Sequence, residues 1–142
     1  MRLPSNCTFL MREKKSPSIE IPVGIISLYA QILGPKDTKT LKMVLDTGAS
    51  RTMVPTRKAM EIGCDPTVSP NRIQIFTASG IEYVPIVCVP LFKCLGMEVK
   101  NLEVICHDLP PQSPADGLLG LDFLRCLPPF IEFYQKITSI RC

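Results

Sequence analysis

Leu45-Asp46-Thr47-Gly48-Ala49-Ser50 lies between Thr40-Leu41-Lys42-Met43-Val44 and Thr52-Met53-Val54-Pro55, and the reading of this stretch decides the fold. A carboxylate between two apolar runs loses hydration that only hydrogen bonds or a functional need can compensate. Gly48 allows a tight turn and close approach of its N–H to a carboxylate oxygen. Thr47 offers a hydroxyl that can lock the turn to a neighbour. Taken alone, the tripeptide also fits an ordinary loop, because Asp, Gly and Ser all favour turns.

Outward from Asp46, residues 40–45 alternate Leu41, Met43 and Leu45 against Thr40, Lys42 and Val44, the period of a strand. Residues 25–33, rich in Ile, Leu and Tyr, form its hairpin partner across the turn Gly34-Pro35-Lys36-Asp37. Downstream, Thr52-Met53-Val54 is a short strand stopped by Pro55. Residues 56–62 suit one or two helical turns, with Thr56 as N-cap and Gly63 as stop. Residues 73–77 and 81–91 are strands joined by a tight turn at Ala78-Ser79-Gly80, with Tyr83, Val87 and Val89 expected on one face. Residues 99–106 form a further strand and 109–115 a Pro-rich loop. Residues 118–126 are the best helix candidate, ended by Pro128 and Pro129. Segments 130–133 and 137–140 close the chain as a hairpin.

Fourteen prolines and eight glycines in 142 residues cut the chain into short pieces, which favours an all-β protein. Residues 1–18 read as a polar lead-in, flexible or adding an edge strand, and residues 19–142 as one domain. A net charge of +3 is too small and scattered for nucleic-acid binding. The basic cluster Arg12, Lys14 and Lys15 encloses Glu13 and reads as a solvated tail. No run approaches the length of a membrane span, and Thr8-Phe9-Leu10-Met11 is too short for a signal peptide's apolar core, so a cytoplasmic location is expected. The seven cysteines are irregularly spaced, without CxxC, and most suit small buried hydrophobes. A zinc site from Cys94, Cys106 and His107 matches no ligand spacing, so no metal or other cofactor is expected.

A second segment gives the first its context. Asp116-Gly117-Leu118-Leu119-Gly120-Leu121-Asp122-Phe123-Leu124 places two apolar residues and a glycine before a short helix. Together with Leu45-Asp46-Thr47-Gly48-Ala49-Ser50, and with a hairpin between the two, this order resembles the retropepsin-like aspartic peptidases over roughly residues 20–141. The resemblance implies an all-β, closed or partly open barrel with one short C-terminal helix. It implies Asp46 as the catalytic carboxylate, supported by Thr47, Gly48, Ala49 and Ser50. It makes residues Thr77, Ala78, Ser79, Gly80 and Ile81 a flap over the substrate, and Leu118, Leu119, Gly120 and Asp122 a structural signature behind the loop.

The implied chemistry is peptide-bond hydrolysis by a carboxylate pair that shares one proton, because two touching like charges do not both ionise. Only one Asp-Thr-Gly exists in the chain, so the resemblance implies a homodimer that pairs two copies of Asp46. Substrate pockets are expected near residues 49–51, 77–81 and the Pro110-Pro111 loop. Asp122 is a conceivable intrachain partner for Asp46, but at the start of the helix it reads as a cap or a structural ion pair. Asp116 reads as a turn residue. Ala49 stands where pepsin-like enzymes commonly carry a hydroxyl, although retroviral members also have Ala there. The alternative function is a non-catalytic peptide-binding or dimerisation module that kept the fold.

Overall fold

The computed structural model describes residues 7–9 and 25–127. The expected closing hairpin at 130–133 and 137–140 lies outside the described residues, as does the expected start of the core at Ile19. The lead-in does contribute an edge strand: β1 (Cys7–Phe9) pairs antiparallel with the strand Met97–Cys106.

The hairpin that leads to Asp46 forms as its alternation predicts. β2 (Ser27–Leu33) and β3 (Thr38–Leu45) pair antiparallel from Ser27↔Val44 to Leu33↔Thr38, and Leu41 and Met43 are fully buried. β4 (Met53–Val54) follows the Asp46 loop, and α1 (Thr56–Glu61) follows Pro55. The helix lacks the expected Thr56 cap. Thr56 is already helical, and its N–H donates instead to the Asp108 carboxylate at 3.0 Å. The stop near Gly63 holds, with the Gly63 N–H donating to the Met60 carbonyl at 3.0 Å.

After a 3-10 turn (Pro66–Val68), β5 (Arg72–Thr77) and β6 (Gly80–Cys94) form a hairpin paired from Arg72↔Pro85 to Thr77↔Gly80. Its two-residue turn is Ala78-Ser79, and Gly80 takes a φ of +126°, which a side chain would resist. The expected common face for Tyr83, Val87 and Val89 does not survive. Tyr83 is 68% exposed, Val84 and Ile86 are buried, and burial then passes to Val87 and Val89. The cause is that β6 serves two structures. Its first half belongs to the projecting hairpin, whereas from Ile86 onward it pairs with β7 (Met97–Cys106) inside the barrel.

The helix expected over 118–126 is shorter. β8 (Gly117–Leu119) is a strand, parallel to β3 and antiparallel to β4, and α2 (Leu121–Leu124) begins only after Gly120. A short apolar run reads equally as strand or helix, and the vacant slot between β3 and β4 decides for strand. The ring β7-β4-β8-β3-β2-β6 closes through the β6–β7 pairing, giving a six-stranded barrel with β1 and β5 attached at its edges. Its core holds Ile32, Leu41, Met43, Val54, Val89, Phe92, Val99 and Leu119, with Phe123 and Leu124 of α2 packed in. The rings of Phe92 and Phe123 lie 5.2 Å apart in a tilted pair. Each such fully buried side chain stabilises the fold by about 1.5–3 kcal/mol. Cys64, Cys88, Cys94 and Cys106 are free thiols, and Cys126 is disulfide-bonded.

Candidate active site

β3 ends at Leu45, and the loop 46–52 crosses the end of β8 before the chain returns as β4. This crossing explains Gly120. A Cβ there would stand 2.6 Å from the Arg51 carbonyl carbon and 2.9 Å from the Ala49 carbonyl oxygen, both backbone atoms of the loop. Only glycine allows the loop to lie so close.

Hydrogen bonds fix the loop from behind. The Asp46 N–H donates to the Leu119 carbonyl at 3.0 Å, and the Leu121 N–H to the Ala49 carbonyl at 2.9 Å. Within the loop the Ala49 N–H donates to the Asp46 carbonyl at 3.2 Å. The Gly48 N–H donates to Asp46 Oδ1 at 2.9 Å, the close approach that Asp-Gly spacing allows. Among the described residues Asp46 Oδ2 has no hydrogen-bond partner, and Asp46 itself is half-buried. Thr47, Gly48 and Ser50 are exposed and Ala49 is half-buried. The Thr47 hydroxyl does not lock the turn within this chain: among the described residues it makes no hydrogen bond.

The lock is Thr52, which sequence reasoning placed only as a strand residue. It is the one buried polar side chain among the described residues, at 0% exposure. Its hydroxyl donates to Asp122 Oδ1 at 2.7 Å and accepts from the Gly120 N–H at 3.1 Å. Its N–H donates to both carboxylate oxygens of Asp122, at 2.9 and 3.0 Å. Asp122 Oδ1 also accepts from the Phe123 N–H at 2.8 Å, so this carboxylate in the first turn of α2 holds the loop's exit to the start of the helix. It is engaged with Thr52 rather than with Asp46. Thr52 was legible only as a polar residue directly before two apolar ones; its partner seventy residues on was not.

Asp116 is more than a turn residue. Its Oδ2 accepts from the Lys42 N–H at 2.8 Å and its N–H donates to the Lys42 carbonyl at 2.7 Å, which pins the start of β8 to β3. The expected flap residues sit at the tip of the β5–β6 hairpin. Ala78, Ser79, Gly80 and Ile81 are exposed and Thr77 is half-buried. Phe76 and Ile81 face each other across it at 81% and 55% exposure. Among the described residues, no hydrogen bond joins the tip to the Asp46 loop. Pro110 and Pro111 lie in the exposed loop between β7 and β8, where the Ser113 N–H donates to the Pro110 carbonyl at 2.9 Å.

Cys94, Cys106 and His107 do not come together. Cys94 lies at the turn between β6 and β7, and Cys106 and His107 lie at the opposite end of β7. Among the described residues no three His, Cys, Asp or Glu side chains are grouped to hold a metal ion. Also among them, no helix is long and apolar enough to cross a membrane.

Comparison with known proteins agrees with this geometry. The aspartyl protease family model matches residues 29–123, from β2 to α2. The crystal structure of a retropepsin-like aspartic protease from Rickettsia conorii superposes with a TM-score of 0.61. That match has 22% sequence identity and covers 78% of this chain and 77% of that one, a likeness of fold. No curated protein matches in sequence.

Proposed function

We propose that this chain, which belongs to the aspartyl protease family, is one half of a homodimeric aspartic endopeptidase whose active site pairs Asp46 with its copy. The observation that carries the proposal is the Asp46 loop itself. The contacts from Leu119, Leu121 and Asp122 hold the loop from behind, while among the described residues Oδ2 of the carboxylate has no hydrogen-bond partner. A carboxylate is costly to hold half-buried unless something uses it, and a second copy across a two-fold axis supplies the missing half.

In that dimer the two carboxylates share one proton. The ionised carboxylate takes a proton from a water molecule, whose oxygen attacks the scissile carbonyl carbon. The protonated carboxyl donates a hydrogen bond to the carbonyl oxygen, which becomes a hydroxyl in the tetrahedral intermediate. Collapse re-forms the carbonyl, breaks the C–N bond and delivers a proton to the leaving amine. The Gly48 N–H on Oδ1 fixes the orientation of the carboxylate. Residues 49–51, the β5–β6 hairpin as a flap, and the Pro110-Pro111 loop form the walls of the substrate cleft in this reading. The exposed Thr47 hydroxyl, which makes no hydrogen bond among the described residues, would bond across the dimer.

The test is Asp46→Asn, which keeps the side chain's shape and removes the base. Peptide cleavage should vanish while the circular dichroism spectrum and sedimentation stay those of the wild type. Cleavage retained by the purified variant refutes the assignment.

A further inference from the structure

Cys64 and Cys88 are free thiols, and the chain between them is one piece of the fold. That piece holds the 3-10 turn, β5, the hairpin tip and the first half of β6. Cys64 follows α1, and Cys88 lies in β6 just after the strand has begun to pair with β7. The two cysteines stand at the two roots of the projecting hairpin.

The fold brings these roots together. The Cys64 thiol donates to the Cys88 carbonyl at 3.6 Å, across a separation of 24 positions. A carbonyl oxygen is two bonds from its own Cα, so the Cys64 sulfur lies against the backbone of Cys88. That is the scale of a disulfide, whose Cα atoms stand about 4.4–6.8 Å apart. The Cys88 side chain is exposed, and its thiol rests 3.9 Å from Asn101 Oδ1, a long contact that rotation about one bond gives up. The backbone beside the pair is already fixed. The Ile86 N–H donates to the Asn71 carbonyl at 2.9 Å, and the Ser69 hydroxyl donates to the Ile86 carbonyl. A covalent link here needs no opening of the barrel.

We propose that Cys64 and Cys88 form a modification site, where a small-molecule disulfide such as oxidised glutathione joins them and the new bond staples the root of the β5–β6 hairpin. The exposed Cys88 thiol loses its proton and attacks one sulfur of the small disulfide, whose S–S bond breaks and releases a thiolate. Cys64 then loses its proton and attacks Cys88 Sγ, which expels the second thiolate. The two protons neutralise the two thiolates. Two electrons pass from the protein to the small disulfide, leaving one Cys64–Cys88 bond and two small thiols.

The other free thiols are placed differently. Cys106 is 2% exposed and Cys94 is 5% exposed, so a dissolved oxidant does not reach them in the folded chain. Burial raises the Cys64 thiol above its ordinary range, with the charge of Cys88 adding to it, and burial and then Glu103 raise Cys88. Thiols that keep their protons attack slowly and leave slowly, so the staple forms slowly and resists reduction. Once formed, it closes residues 64–88 into a ring and removes freedom from the opened hairpin.

The test exposes folded, reduced wild type, Cys64→Ser and Cys88→Ser to oxidised glutathione, then alkylates and maps the unreduced peptides by mass spectrometry. Wild type should yield a Cys64–Cys88 peptide pair two hydrogens lighter than its parts, and neither variant should. Cys64→Ser should stop at a Cys88–glutathione mixed disulfide that is about tenfold scarcer in wild type. Exchange of the Ile86 amide, at the root, should slow by about tenfold or more in oxidised wild type and stay unchanged in Cys64→Ser. A mixed disulfide at Cys88 that persists equally in wild type, a bond from Cys64 to Cys106, or an Ile86 amide indifferent to the bond overturns the staple. Only the effect on substrate rests on the flap reading, and peptide cleavage measured alongside separates the two. A kcat/KM that shifts on linking and returns with dithiothreitol supports both. A linked, slowed root with unchanged kcat/KM keeps the staple and removes the flap.

Discussion

Thr52→Val isolates the contact that holds the Asp46 loop. Valine matches threonine in shape, so the substitution opens little cavity and removes only the hydroxyl. Two bonds are lost with it: the 2.7 Å donation to Asp122 and the 3.1 Å acceptance from the Gly120 N–H. The first is charge-assisted, worth about 1.5–3 kcal/mol, and the second leaves a buried donor unsatisfied at about 1–3 kcal/mol. Asp122 retains the N–H groups of Thr52 and Phe123, which places its loss at the low end. The expected destabilisation is about 3–4 kcal/mol, a large share of the roughly 5–15 kcal/mol that such a domain has.

Denaturant unfolding at one fixed protein concentration measures it, because the stability of the proposed dimer would depend on concentration. Thr52→Ser keeps the hydroxyl and loses one buried methyl, for about 1 kcal/mol. A double-mutant cycle with Asp122→Asn should return about 1–3 kcal/mol of coupling. A valine variant within about 1 kcal/mol of wild type, or weaker than the serine variant by nothing measurable, would refute the reasoning, as would a coupling near zero.

Three further outcomes are expected. Gly120→Ala drives a methyl against the Arg51 and Ala49 backbone, so cleavage should be lost, with destabilisation of about 3 kcal/mol or more by thermal melt; a stable, active variant contradicts the crossing. Asp108→Ala removes the carboxylate that caps α1 and should cost about 1 kcal/mol in the same melt, with kcat unchanged. Burial pushes the Cys94 thiol up to about 12, so the folded state keeps a proton that the unfolded state loses above about pH 9. Cys94 should therefore lower stability by about 1 kcal/mol per pH unit as the pH rises from there, with a like share from Cys106, and alkylation followed by mass spectrometry should modify exposed Cys88 well before Cys94.

Local rules made part of the fold legible. The Leu41-Met43 alternation and the Gly34–Asp37 turn each depend on residues a few positions apart and formed as expected, and the turn expected at Ala78-Ser79-Gly80 formed one residue shorter, with Gly80 already in β6. What failed depended on residues far apart. Thr56 suited a cap by its type, yet Asp108, fifty-two positions away, took that role. Leu118 and Leu119 became a strand because β3 and β4 left a slot for them. Tyr83 and Val87 share parity but not surroundings, because the strand leaves the hairpin and enters the barrel between them. The candidate site divides in the same way. Asp46 and Gly48 were legible from spacing, Asp122 was legible as structural, and Thr52, which joins the two segments, was not.

That division has a physical sense. The contacts behind the loop are short, at least partly buried and mutually dependent: Thr52 bonds Asp122, Asp122 accepts from the Phe123 N–H of α2, and Gly120 yields its N–H to Thr52 while making room for Arg51. The groups in front, Thr47, Gly48, Ser50 and Asp46 Oδ2, are left open by the same arrangement. A loop meant only to connect β3 to β4 would need neither the buried lock nor the uncovered carboxylate. Rigidity at the back with unsatisfied polar groups at the front is what a half-site requires, since a carboxylate can be paired with its copy only if each chain holds its own in place before they meet. The fixed back and open front of this loop are the strongest physical reason to expect that Asp46 works as one of two.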